Sequence, residues 1–189
     1  MRLFRSAPIL NVLFIFLALC STATNATPDI EISRAESQLS NDILTISADA
    51  KINLSKDPTE ALQSGVPLFF DLNIEIRQKR NYIWDQELFK TKYTYLLQRH
   101  TLSKKYIVKN LITDTQEVHG SVTAAIQSLG KIRKLAVVDV KELINKKNLA
   151  LVFELKLKIN ALPAPMMPLA YISPQWHISS KKYKWDIDL

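Results

Sequence analysis

The chain has 189 residues, with 25 Lys and Arg against 18 Asp and Glu, a formal charge of +7. That length suits one domain with its own hydrophobic core. A single cysteine and three glycines exclude thiolate-held structural zinc, a disulfide framework and a glycine-rich phosphate loop.

The N-terminal stretch MRLFRSAPILNVLFIFLALCSTATNA carries Arg2 and Arg5, then an apolar run centred on Val12 to Leu19, then small and polar residues from Ser21 to Ala26. This is the three-part pattern of a secretory signal peptide. A bilayer crossing needs about 20 apolar residues, and Pro8 and Asn11 interrupt this run. Cleavage is expected after Ala26 or Ala23. The division is then a signal peptide over 1–26 and one exported domain over 27–189. Acylation of Cys20 is not expected, because the bulky Leu19 stands where lipoprotein processing takes a small residue. Loss of Arg2 and Arg5 lowers the formal charge from +7 to +5. What remains is uneven: Thr27 to Phe89 holds six Lys or Arg against eleven Asp or Glu, and Lys90 onward holds seventeen against seven. Such asymmetry can orient a protein at an anionic membrane or an acidic partner. Solvated strand faces are the simpler explanation, since most of these lysines alternate with apolar residues.

DIEISRAES, before the polar tetrad Gln38 to Asn41, is predicted to pair as a hairpin with ILTISADAKINL. In the latter, Leu44, Ile46, Ala48, Ala50, Ile52 and Leu54 share one side. Asp57, Pro58 and Gly65 mark a short helix as cap, first turn and stop. Next comes LFFDLNIEI, with Phe70, Leu72, Ile74 and Ile76 opposing Asp71, Asn73, Glu75 and Arg77. LFKTKYTYLLQRH and KYIVKNLIT form a second expected hairpin around Thr101 to Lys104. A second helix is predicted from Ser121 through VTAAIQSL to Gly130, with a further turn or two in DVKELINKK. LALVFELKLKI alternates again, and PQWHISS reads as a short strand. Period two means one core face and one wet face per strand, which is the antiparallel signature. The expected fold is mainly β, an antiparallel sandwich or curled sheet with two short helices; an α+β arrangement is the alternative.

Catalytic patterns are sparse. His100, His119 and His177 are scattered, with no metal-ligand spacing, and no serine sits in a GxSxG elbow. Asp85/Glu87 and Asp186/Asp188 are carboxylate pairs that would share a strand face, a geometry that serves acid–base work or a hard cation. Solvated charge explains them more simply. No enzyme activity, metal or cofactor is expected.

Two clusters remain. RQKRNYIW follows the strand ending at Ile76, and a strand continued past that point would push Gln78 and Arg80 into the core. Unpaired buried charge is prohibitive, so the strand must emerge here. Arg77 or Arg80 can then stack on Trp84 with Tyr82 nearby, or bind a carboxylate or phosphate. The other reading is a plain structural corner. The tail NALPAPMMPLAYISPQWHISSKKYKWDIDL carries Pro163, Pro165 and Pro168, which argue for an extended path. Met166 and Met167 face a groove or plug the core. Trp176 and Trp185, with Tyr183 and surrounding lysines, serve a partner or membrane interface, or close the sandwich as a last strand. Nucleic acid is not expected for an exported protein.

The stretches EALQSGVPLFFDLNIEIRQKRNYIWD, YLLQRHTLSKKYIV and LPAPMMPLAYISPQWHISSKKYKW together resemble a family of exported Gram-negative bacterial proteins catalogued only as a domain of unknown function. The shared features are the GVPL strand start, the corner formed here by Arg77, Arg80 and Trp84, and the LPxP segment with a tryptophan-bearing end. The resemblance implies export, one domain, and genes near membrane sensor kinases. Members carry an arginine shortly after the LPxP prolines; Met166-Met167-Pro168 stands there in this chain, so no role transfers. The function expected is a non-enzymatic periplasmic interaction module linked to envelope sensing, with an envelope or inner-membrane protein as partner. A small-molecule or lipid binder is the alternative. A hydrolase would need His100 or His177 to meet an acid in a cleft.

Overall fold

Strand β1 (Ile30–Ser40) folds back onto β2 (Ile43–Ile52) through Asn41 and Asp42, whose φ angles are +51° and +62°. A two-residue turn of that hand matches the twist of the flanking strands, and Asn and Asp tolerate it better than other side-chain-bearing residues. The expected turn tetrad is thus mostly strand: Gln38, Leu39 and Ser40 still pair with Thr45, Leu44 and Ile43. The computed structural model describes residues 30–81 and 83–187. The expected signal peptide, Cys20, Tyr82 and Asp188 lie outside the described residues.

Strand β7 (Lys131–Asp139) pairs with the other side of β2, giving a small antiparallel sheet ordered β1–β2–β7. β7 was not anticipated. Its register slips twice against β2, and Lys134 adopts a φ of +45°. The buried residues therefore fall at Ile132, Leu135, Val137 and Val138, which is no simple period.

The larger sheet is built from β3 (Leu68–Gln78), β4 (Gln86–Arg99), β5 (Tyr106–Asn110), β6 (Gln116–His119), β8 (Leu149–Leu157) and β9 (Tyr183–Ile187). Its order is β6–β5–β4–β3–β8–β9, antiparallel at every step. Phe70, Leu72, Ile74 and Ile76 from β3, and Leu151, Phe153 and Leu155 from β8, are fully buried on its inner face. They form one core with Leu44, Ile46, Ala48, Ile132 and Leu135 of the small sheet. Strands hold 51% of the described residues and no barrel closes, so the mainly-β two-sheet expectation holds over the α+β alternative.

The helices differ from expectation in detail. α1 (Lys56–Gln63) begins before Asp57, which sits in the first turn rather than at the cap. Ser55 holds the cap position, but its hydroxyl donates to the Gln175 carbonyl (2.5 Å). α2 (Val122–Leu129) is capped by Ser121, whose Oγ accepts from the Ala124 N–H at 3.2 Å. At the end of α2 the backbone passes so close to β2 that a Cβ on Gly130 would lie 2.0 Å from the Ala50 oxygen. A third helix, α3 (Met167–Ile172), forms where the prolines argued for extended chain. Pro168 lies in its first turn, where a missing N–H costs nothing. PQWHISS is not a strand: Pro174–Trp176 make a 3₁₀ turn, and beyond it Ser179 and Ser180 form only isolated bridges. DVKELINKK begins as a 3₁₀ turn over Val140–Leu143, with Asp139 Oδ1 accepting from the Lys141 N–H at 2.9 Å.

Candidate functional site

The outer face of the large sheet, expected to be wet, is roofed by its own charges. Asp71 and Glu75 on β3 are buried. Thr94 Oγ1 donates to Asp71 at 2.8 Å, with Lys92 Nζ 3.7 Å away. Lys90 Nζ stands 3.0 Å from Glu75, and Arg77 donates to Glu75 Oε2 from Nε at 2.9 Å and Nη2 at 2.5 Å. Burial pushes the Glu75 carboxyl up, but the Lys90 and Arg77 bonds outweigh it and hold the group below its usual range. The Glu75 carboxylate in turn raises Lys90.

The basic–aromatic corner therefore divides. Arg77 is committed to Glu75. Arg80 is exposed and donates to the Gln86 side-chain oxygen. Trp84 is 94% exposed, so neither arginine covers its ring and the expected stack does not form. Lys79 pairs with Asp186, and Lys184 with Asp85 at 2.6 Å, a contact that lowers Asp85. Glu87 lies 3.7 Å from Lys90. Asp85, Glu87 and Asp186 are thus each met by a lysine. At the tail, Trp176 is buried under the helices. Trp185 is half-buried, 5.7 Å from Tyr183 between ring centres, and its indole N–H donates to Ser37 Oγ at 3.3 Å across the two sheets.

The histidines do not converge on an active site. His100 contacts Ser103 at 3.1 Å within the β4–β5 turn, and His177 is exposed after the 3₁₀ turn. His119 lies 3.3 Å from Glu117 Oε2, the same oxygen that accepts from Ser128 Oγ at 2.5 Å. Nucleophilic relay needs the imidazole between hydroxyl and carboxylate; here the carboxylate is in the middle. Glu117 and Ser128 open onto a polar cleft of about 420 Å³ whose lining includes Tyr93, Tyr95, Asn110 and Arg133. Burial pushes the Tyr95 phenol up to about 12. Among the described residues no cluster of three or more His, Cys, Asp or Glu is placed to hold a metal. None of their helices is long and apolar enough to cross a membrane.

A second concavity, about 640 Å³, lies between α1 and α3. Its floor is Ala61, Val66, Met166 and Trp176, its rim Leu169 and Ile172 on one side and Asp57 and Glu60 on the other. Met166 thus reaches both the groove and the core edge. The signal for this groove was the i, i+3 spacing of Met166, Leu169 and Ile172, hidden by the flanking prolines. The polar cleft had no local signal, because it joins residues from β4, β5, β6, α2 and β7.

Two antiparallel sheets around one core, with an apolar surface groove at one end, define a small mainly-β domain. Residues 27–186 match the family model described as Domain of unknown function (DUF4390), and the chain belongs to that family. No curated protein and no solved structure is similar enough to match it.

Proposed function

We propose that this chain is a non-enzymatic interaction module, exported to the periplasm, that docks an apolar segment of an envelope protein in service of envelope sensing. The observation that carries the reading is the groove between α1 and α3. Leu169 and Ile172 on its rim are 72% and 80% exposed, although the chain buries nearly every other large aliphatic of its tail. Exposed apolar groups flanking a concave apolar floor are the usual mark of a binding surface. Export is supported by the leader pattern of residues 1–26.

Affinity capture from envelope extracts tests this, comparing wild type with a Leu169→Glu/Ile172→Glu variant. Partners retained by wild type and lost by the variant support the groove; an unchanged set rejects it. The groove volume also favours a second reading, a bound small apolar molecule, since such pockets run from about 300 to 1,000 Å³. Native mass spectrometry of protein taken from its own compartment would then show added mass that Leu169→Glu removes.

A further inference from the structure

Three connections meet at the end of the sandwich remote from α1. The β1–β2 turn is tied to the start of the β7–β8 connection by Val140 N–H to the Asp42 carbonyl at 2.8 Å. The end of that connection is tied to the β3–β4 turn by Lys79 N–H to the Asn148 carbonyl at 2.9 Å and Gln78 Nε2 to the Lys147 carbonyl at 3.2 Å. Trp84 at 94%, Ile83 at 64% and Ile144 at 58% exposure stand on these connections, with Leu39 and Ile43 exposed beside them. Exposed Arg80, Lys146 and Lys147 stand on the same connections toward the large-sheet half, and no carboxylate among the described residues pairs with them. Asp42, Asp139, Lys141 and Glu142 occupy the small-sheet half.

These side chains project from turns and do not line a groove. The notch beside them, between Lys79, Asn81, Asn148 and Asp186, is polar. Projecting tips suit a flat, deformable surface better than a shaped protein. Tryptophan is the side chain that settles at the boundary between headgroups and acyl chains, with its ring apolar and its N–H wet. Cations beside it match lipid phosphates.

We propose that this end of the domain rests on an anionic phospholipid surface, with Ile83 and Trp84 at headgroup depth and Arg80, Lys146 and Lys147 against the phosphates. The groove at the opposite end is then left facing away from the bilayer.

The test is co-sedimentation of the full-length protein with vesicles of phosphatidylglycerol and phosphatidylcholine, set against phosphatidylcholine alone. Binding should favour the anionic vesicles and weaken with salt. Ile83→Ser/Trp84→Ala should lower it by about tenfold or more. Lys146→Ala/Lys147→Ala should lower it about twenty-five-fold, some fivefold per cation. Tryptophan emission should shift to the blue on binding and be quenched by brominated acyl chains, a response that Trp84→Phe abolishes. Variants that bind like wild type, or binding without an emission shift, would overturn the proposal. So would a shift that appears without vesicles as protein concentration rises, which would make the patch a contact between copies. Leu169→Glu/Ile172→Glu should leave vesicle binding untouched, so the groove and the lipid contact stand or fall separately.

Discussion

Glu75 accepts from Arg77 two places along its own strand and from Lys90 directly across β4, so one buried carboxylate joins two strands of the sheet through charge. Its carboxyl is held below the usual carboxylate range. A depressed carboxylate stabilises the fold above its unfolded value and loses that contribution as pH falls through the folded one. Glu75→Gln should therefore cost about 1.5–3 kcal/mol at neutral pH, the range for hydrogen bonds to charged groups. Urea unfolding followed downward through the carboxylate range should show the gap to wild type closing. A gap unchanged by acid would mean the bonds contribute nothing ionic.

Tyr95 gives the opposite dependence. Its phenol, pushed up to about 12 by burial, keeps its proton in the fold after an unfolded tyrosine has lost it. Stability from this group is fully present below about pH 10 and is lost as pH rises toward 12, some 2–3 kcal/mol in all. Spectrophotometric titration should show a late-titrating phenol that Tyr95→Phe removes.

Gly130 and Gly120 make a matched pair. An alanine at Gly130 meets the Ala50 backbone oxygen at 2.0 Å, and the Ala50 N–H to Gly130 carbonyl bond (2.8 Å) leaves no room to retreat. Gly130→Ala should cost about 1–3 kcal/mol as overpacking. Nothing lies within 4 Å of a Cβ on Gly120, so Gly120→Ala should stay within about 0.5 kcal/mol of wild type. Thermal melts of the two variants separate them.

The groove's rim and floor should respond differently. Leu169→Ser and Ile172→Ser change exposed side chains and should move stability by no more than about 0.5 kcal/mol. Trp176→Ala, in the floor and core, should cost about 3–5 kcal/mol. If the rim variants unfolded the domain, the rim would be structural and not a docking surface.

What the sequence reveals here follows from what is local. Leu44 to Ile52, Phe70 to Ile76 and Leu151 to Leu157 alternate because each has one face on the core, and all three are strands. Ser121 and Gly130 bracket α2 because capping is a matter of neighbouring backbone groups. β7 escaped because its register shifts against β2 put Leu135 out of phase with Ile132, so no period shows along the chain. α3 escaped because Pro168 looks like a breaker in sequence, whereas its place in the first turn makes it harmless. The corner was legible as a strand exit, since Arg80 cannot be buried. Of its partners, Glu75 lies two places back on the same strand, but Lys90 and Gln86 reach it only through pairing with β4.

The strand order β1–β2–β7 constrains the route by which the chain folds. β2 waits for a partner that follows β3, β4, β5, β6 and α2 along the chain. A lone two-stranded ribbon is marginal in water, so the β1–β2 hairpin gains lasting order only once Lys131–Asp139 arrives. Such non-local closure is slow. β3 waits likewise for β8, which lies beyond β7, so the local hairpins β1–β2 and β3–β4 should form first and both sheets close late.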